Sequence, residues 1–121
     1  MSKILIVDDH SDIRRLIRLL LDRTFEVLEA DNGTDALDIV RRQRPGVVVL
    51  DVMMPGELDG LQVLSAIKQD PELRDTYVVM VTARGQTSDF EQATTLGADA
   101  YFIKPFSPLA LATHIRNRLA P

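Results

Sequence analysis

Three acids, a hydroxyl and an ammonium recur in one kind of position along this chain, directly after a short apolar run. Asp8 and Asp9 follow the run Ile4 to Val7, and Asp51 follows Val47 to Leu50. Thr82 follows Val78 to Val81, and Lys104 follows Ala100 to Ile103. Three carboxylates gathered in one place repel one another, and the arrangement is tolerable only with protonation or a cation between them. Lys104 supplies one positive charge. The remaining oxygen donors, with no imidazole or sulfur expected nearby, suit a hard divalent cation such as Mg2+ held partly by water.

These residues meet only if the runs that carry them are neighbouring parallel strands. Five such runs, the four above and Phe25 to Leu28, alternate with five longer segments of helical spacing. That alternation predicts an α/β fold with a parallel sheet covered by helices on both faces. Apolar stripes fall at Ile13, Leu16, Ile17 and Leu20, at Gly33, Ala36, Leu37 and Val40, and at Gly60, Val63, Leu64 and Ile67. The last segment carries Leu111, Ala112, Ile115 and Leu119, while the fourth has only Phe90, Ala93 and Leu96 and should be the weakest helix. Runs buried on both faces read as continuously apolar, so the charged second run and the short fifth run are the expected edges. The simplest strand order is 2-1-3-4-5, a flavodoxin-like doubly wound sheet. Such sheets bind ligands beyond the carboxyl ends of their strands, at the switch point between strands one and three. Strands there lie about 4.8 Å apart, so all five side chains can line one pocket.

Composition narrows the classes of function. A chain of 121 residues, 45% hydrophobic and 26% charged, makes one globular domain, read here as residues 1–121. Fourteen basic against eighteen acidic residues leave a net charge of -4, which offers no basic face to nucleic acid or anionic membrane. The absence of cysteine removes disulfides and thiolate chemistry. The apolar stretch after Lys3 is far shorter than a signal-peptide core or membrane span, and a cytoplasmic location is expected.

The motifs resemble, over essentially the whole chain, the receiver domain of two-component response regulators. They are Ile4-Leu5-Ile6-Val7-Asp8-Asp9, Asp51-Val52-Met53-Met54-Pro55 with Asp59-Gly60, Val81-Thr82-Ala83, Gly97-Ala98-Asp99, and Tyr101-Phe102-Ile103-Lys104-Pro105-Phe106. Each is weak alone, and the five in order are specific. The resemblance implies that Asp51 accepts a phosphoryl group from a phosphohistidine on a sensor histidine kinase or phosphotransfer protein. It puts Asp9, Asp51 and the Met53 carbonyl on Mg2+, with Asp8 acting through water. Thr82 and Lys104 would each bond a phosphoryl oxygen, and the Lys104-Pro105 bond would be cis, aiming the lysine inward. Thr82 and Tyr101 would be the moving parts that couple this chemistry to the surface of the fourth helix, last strand and last helix, where an effector docks. The chemistry agrees, since phosphoryl transfer needs positioning and cations more than covalent machinery, and a carboxylate beside a metal and an ammonium is a competent acceptor.

Other residues receive plainer readings. Asp8-Asp9 alone would be helix caps, Thr82 an ordinary strand residue and Lys104 surface charge, and their company reverses each reading. His10 adjoins the acidic pair, close enough to feel a metal there, but nothing pairs it with His114 on the polar side of the last helix and neither is assigned a catalytic role; Met53-Met54 is read as loop packing apart from the Met53 carbonyl. Ser88 with Glu91 reads as a capping box for the fourth helix. Between Asp51 and Gly60 lies one residue more than the commonest receiver spacing, at Gly56-Glu57-Leu58. Met53 and Arg84 occupy positions that tune phosphoryl lifetime in similar domains. Ala100 stands where transcription-factor receivers often place an acid, which bears on whether the chain forms a homodimer. A phosphohydrolase of the haloacid dehalogenase kind would need a second acid at Met53, and a flavin or nucleotide binder would need a Gly-rich loop where Asp8-Asp9-His10-Ser11-Asp12 stands. The chain is read as a regulatory switch, either free-standing or one part of a longer protein.

Overall fold

Strands that are apolar on both faces need helices above and below, and the chain provides them in alternation. The computed structural model describes residues 2–120 apart from 22, 24 and 84. Its elements are β1 (Lys3–Val7), α1 (Ser11–Leu21), β2 (Glu26–Ala30), α2 (Gly33–Gln43) and β3 (Val47–Asp51). They continue with α3 (Gly60–Gln69), β4 (Tyr77–Ala83), α4 (Thr87–Thr95), β5 (Ala100–Lys104) and α5 (Pro108–Leu119). All strand pairs are parallel and the order is β2-β1-β3-β4-β5, as the sequence predicts. Both edge assignments also hold, because β3 is buried throughout while β2 and β5 are not.

The two-residue period of the strands divides the core in two. Leu5, Val7, Val48, Leu50, Val78 and Met80 face α2, α3 and Ala93 of α4. Ile4, Ile6, Val47, Val49, Val79 and Val81 face α1 and α5. Full burial of a Val, Leu or Ile side chain contributes about 2 kcal/mol. Helix α3 buries Val63, Leu64 and Ile67, whereas α4 buries Ala93 alone. The fourth helix is therefore the least anchored, as its thin stripe predicts.

Two expectations fail, one in α1 and one at the start of α4. Helix α1 centres its buried face on Ile17 and Leu21, leaving Leu16 46% exposed. The consecutive Leu19, Leu20 and Leu21 allow more than one apolar stripe, and packing against α5 selects the one that includes Leu21. The capping box is found at Asp59 and Gln62, where each side chain accepts from the other residue's backbone amide at the start of α3. Helix α4 instead begins at Thr87, with Gln86 as N-cap and no side-chain cap, so Ser88 already lies inside it. Gly85, at φ +85°, turns the chain out of β4 early enough to start the helix one residue ahead of that motif.

Gly60 is what lets α3 start beneath the pocket. A Cβ there would stand 2.1 Å from the Asp51 carbonyl oxygen and 2.7 Å from the Val52 Cα, both backbone atoms. The Gly60 amide donates to the Val52 carbonyl at 2.9 Å, tying the helix to the end of β3. A Cβ at Gly46, by contrast, would meet the Leu119 side chain at 3.5 Å and the Lys3 carbonyl oxygen at 3.9 Å, both ordinary contacts. Gly60→Ala is expected to lower unfolding free energy by about 2 kcal/mol or more, and Gly46→Ala to change it by less than about 1 kcal/mol. Urea denaturation followed by circular dichroism checks both.

Candidate functional site

The strand register brings the acids together. Val7 pairs with Leu50 and Asp51 pairs with Val81, so the residues that follow β1 lie beside the end of β3. Asp8 and Asp51 are both buried, an uncommon state for carboxylates that requires compensation. Lys104, ending β5, reaches back across β4, and its Nζ donates to Asp51 Oδ2 at 2.7 Å. The same ammonium stands 3.5 Å from Asp8 Oδ2. The other oxygen of Asp51 accepts from the Met53 amide at 3.3 Å. Around Asp8, the amide donates to the Ala30 carbonyl and the carbonyl accepts from Arg14 Nη1 at 2.7 Å, which pins the loop after β1. Arg14 is itself fixed by Glu29 on β2. Nothing in the sequence marked Arg14, because its partner Glu29 lies fifteen residues away on a neighbouring strand.

Burial pushes the Asp51 carboxyl above its ordinary pKa, and the Asp8 charge pushes it the same way. The Lys104 bond and the Met53 amide recover only part of that rise. For Lys104, burial works against the charged form, yet the bonds to Asp51 and Asp8 outweigh it and hold the ammonium above its usual range. An amine held so firmly protonated, 2.7 Å from the carboxyl oxygen, makes this an ion pair.

Other expected residues lie in mixed surroundings. Thr82 is buried beyond Val81 and borders an apolar pocket of about 290 Å3 with Ala83, Gly85, Phe90 and Ile103. Tyr101 is half-buried over α4, its hydroxyl 2.6 Å from Thr94 Oγ1 and its ring centroid 4.4 Å from that of Phe90. The Lys104-Pro105 bond is cis, and Pro105 lines a shallow apolar groove with Ile13, Leu16, Ala83 and Phe106. Arg84 lies outside the described residues. The methionine reading holds only for Met54, which packs on the core, whereas the Met53 side chain is exposed.

The surroundings of both histidines differ from those expected. His114 is half-buried rather than on a polar face, hydrogen-bonded to the Tyr77 hydroxyl at 2.9 Å and edge-on to Phe102. The last helix turns it toward Tyr77 at the start of β4 and Phe102 in the middle of β5, a contact between distant segments with no local trace. His10 stands in the acidic cluster itself, with Nδ1 3.0 Å from Asp8 Oδ1 and 3.1 Å from Asp9 Oδ1. The expectation of no imidazole nearby is thus wrong, since a residue two places after Asp8 reaches back over it. Ligand atoms of Asp8, Asp9, His10 and Asp51 lie within 4.8 Å of one another.

The response regulator receiver domain family matches residues 4–116 of this chain. This chain is a response regulator receiver domain. Receiver domains are regulatory signalling domains of two-component systems. This one is 43% identical over 119 residues to a probable transcriptional regulator, ycf27, of Porphyra purpurea, and 37% identical to the transcriptional regulatory protein SrrA of Staphylococcus aureus. Both alignments cover 98% of the chain but only 47% and 48% of those relatives, so the receiver domain spans about half their length. Among solved structures, a putative response regulator from Chloroflexus aurantiacus superposes with a TM-score of 0.87 at 31% identity, covering 99% of this chain and 98% of that one. No helix among the described residues is long and apolar enough to cross a membrane.

The donor set of this receiver domain fits a divalent cation. Asp8, Asp9 and Asp51 bring three negative charges, Lys104 returns one positive charge, and an ion of charge two would balance the remainder. Without such an ion, the buried Asp51 charge is a cost to the fold. Because its folded pKa is raised, the folded state binds that proton more tightly than the unfolded chain does. The cost is absent below the ordinary aspartate pKa and grows as pH rises through the raised one. Asp51→Asn is therefore expected to raise the metal-free melting temperature at neutral pH by a few degrees. The gap between variant and wild type should close as pH falls toward the ordinary aspartate range, which calorimetry across a pH series measures.

Proposed function

We propose that this receiver domain is a phosphorylation-dependent switch whose acceptor is Asp51. The observation that carries this reading is the Asp51 carboxylate held by the Lys104 ammonium at 2.7 Å beside two further acids. In the proposed step an Asp51 oxygen bonds the phosphorus of a phosphohistidine on a sensor histidine kinase or phosphotransfer protein. The P–N bond breaks, and the bonding electrons leave with the imidazole. Charge spreads over the equatorial oxygens during such a transfer. Lys104 is positioned to follow that charge from the carboxylate to the phosphoryl group, and Thr82 to donate its hydroxyl to a second oxygen. Asp8, Asp9, Asp51 and the Met53 carbonyl would hold Mg2+, which supplies neutralising charge to the phosphoryl oxygens when bound. Asp8 would hold it through water. The domain catalyses only its own phosphorylation and dephosphorylation.

The response would run through Thr82 and Tyr101. Drawing the Thr82 hydroxyl toward the phosphoryl group frees space in the apolar pocket it borders, beside Phe90. Tyr101 packs against that same Phe90, and its tie to Thr94 is a single hydroxyl contact on the least anchored helix. Movement of this ring would change the face formed by α4, β5 and α5, and with it the affinity for a downstream effector or for a second copy of the domain. The relatives' names suggest that in a longer chain the effector is a transcriptional regulator. The acidic receiver domain would act on nucleic acid only through that part, in the cytoplasm and away from membrane. Incubation with a small phosphodonor and Mg2+ should add one phosphoryl mass to the intact protein. Chelation should slow the addition at least tenfold, Lys104→Ala should reduce it by a similar factor, and Asp51→Asn should abolish it. An adduct that persists in Asp51→Asn would refute the assignment.

A further inference from the structure

A pocket built for a hard, oxygen-seeking ion has no use for an imidazole, yet one stands in it. His10 is placed there by its own backbone, whose amide donates to Asp8 Oδ1 at 2.8 Å and closes a two-residue turn. That turn holds the ring across the acid pair, with Nδ1 3.0 Å from an oxygen of Asp8 and 3.1 Å from an oxygen of Asp9. Neighbouring donors on an octahedral divalent ion with bonds of about 2.1 Å are separated by about 3.0 Å. The contact with Asp8 is a hydrogen bond, while the separation from the Asp9 oxygen is that of adjacent ligands on one ion. The side chain of His10 is 59% exposed at the pocket mouth, where an ion must enter and where water would otherwise complete its coordination. Lys104 occupies the opposite side, against Asp51 Oδ2 and Asp8 Oδ2.

We propose that His10 is a further protein ligand in this pocket, giving a mixed nitrogen and oxygen site that favours first-row transition dications over Mg2+. The inference rests on the reading of the acidic pocket as a divalent-cation site. Imidazole gains progressively more from Mn2+ to Co2+ and Zn2+ than from Mg2+, whose preferred partners are carboxylate, carbonyl and water. An added nitrogen donor therefore raises affinity for the transition ions selectively. His10 changes which ion the receiver domain takes from a mixture, and with it how readily the switch responds where Mg2+ is in excess.

Mn2+ serves as the probe, because its electron spin registers directly coordinated nitrogen. Pulsed electron paramagnetic resonance of the Mn2+-loaded wild-type protein should show nitrogen modulation characteristic of a bound imidazole. That signal should convert to the 15N pattern when only histidine is labelled, and vanish in His10→Gln. The chain has two histidines, and His114 is engaged with Tyr77, so the labelled signal reports His10. In parallel, competition titrations should show the ratio of Co2+ to Mg2+ affinity falling at least tenfold in His10→Gln. Mn2+ bound with oxygen ligands only, and an affinity ratio unchanged in the variant, would overturn the role of His10 while leaving the cation site intact. Failure of the wild type to bind Mn2+, Co2+ or Mg2+ at all would overturn the cation site itself.

Discussion

Carboxylates do not share a buried rim without a counter-charge, and in this receiver domain nearly everything near the pocket can be traced to that constraint. Asp8 and Asp51 are removed from water by the strands that carry them, and Asp9 sits beside them at the mouth. One ammonium cannot offset three negative charges. Lys104 lies between Asp51 and Asp8 and is held charged by both, while burial still lifts the Asp51 carboxyl above its usual range. The metal-free pocket is accordingly strained in an electrostatic sense. A divalent ion would relieve it, and in the proposed reaction a phosphoryl group on Asp51 would redistribute the charge that Lys104 must follow.

A site under that tension needs rigid walls, and the fold supplies them unevenly. On the side of β1 and β3, every residue from Ile4 to Val7 and from Val47 to Asp51 is buried, and Gly60 brings α3 into backbone contact with the end of β3. The acids are set by elements with little freedom to move. Beyond β4, on the side of β5 and α4, the packing thins, since β5 has no fully buried residue and α4 buries only Ala93. Thr82 stands at the boundary between the two regions. A change of charge at the firm side has one soft neighbour to act on, consistent with switching elements being drawn from the less stable parts of a structure.

Much of this was legible in the sequence, for a physical reason. Strand ends are marked by the change from β-branched runs to Asp8, Asp51, Thr82 and Lys104, and a parallel sheet places such ends on one rim whatever the details. The stripes of α2 and α3 were equally plain, because Gly33 to Val40 and Gly60 to Ile67 each admit one apolar face, and all eight of those stripe residues are buried. Helix α1 was ambiguous because its leucines run consecutively, so tertiary packing decides between faces. The capping motif at Ser88 carried no weight against the turn at Gly85. The direction of the His10 ring was not legible because a two-residue backbone turn sets it, and the His114 contact was not because its partner Tyr77 lies 37 residues away.

The central claim is that the fold singles out Asp51, among acids crowded into one pocket, as the group that forms an acyl phosphate. Borohydride reduces an aspartyl phosphate to homoserine, which leaves a permanent mark at the acceptor. After treatment with phosphodonor and Mg2+ and then borohydride, peptide mass spectrometry should find homoserine at position 51 and unmodified aspartate at positions 8 and 9. Homoserine at 8 or 9, or an unmodified Asp51 in protein that had gained a phosphoryl mass, would contradict the account.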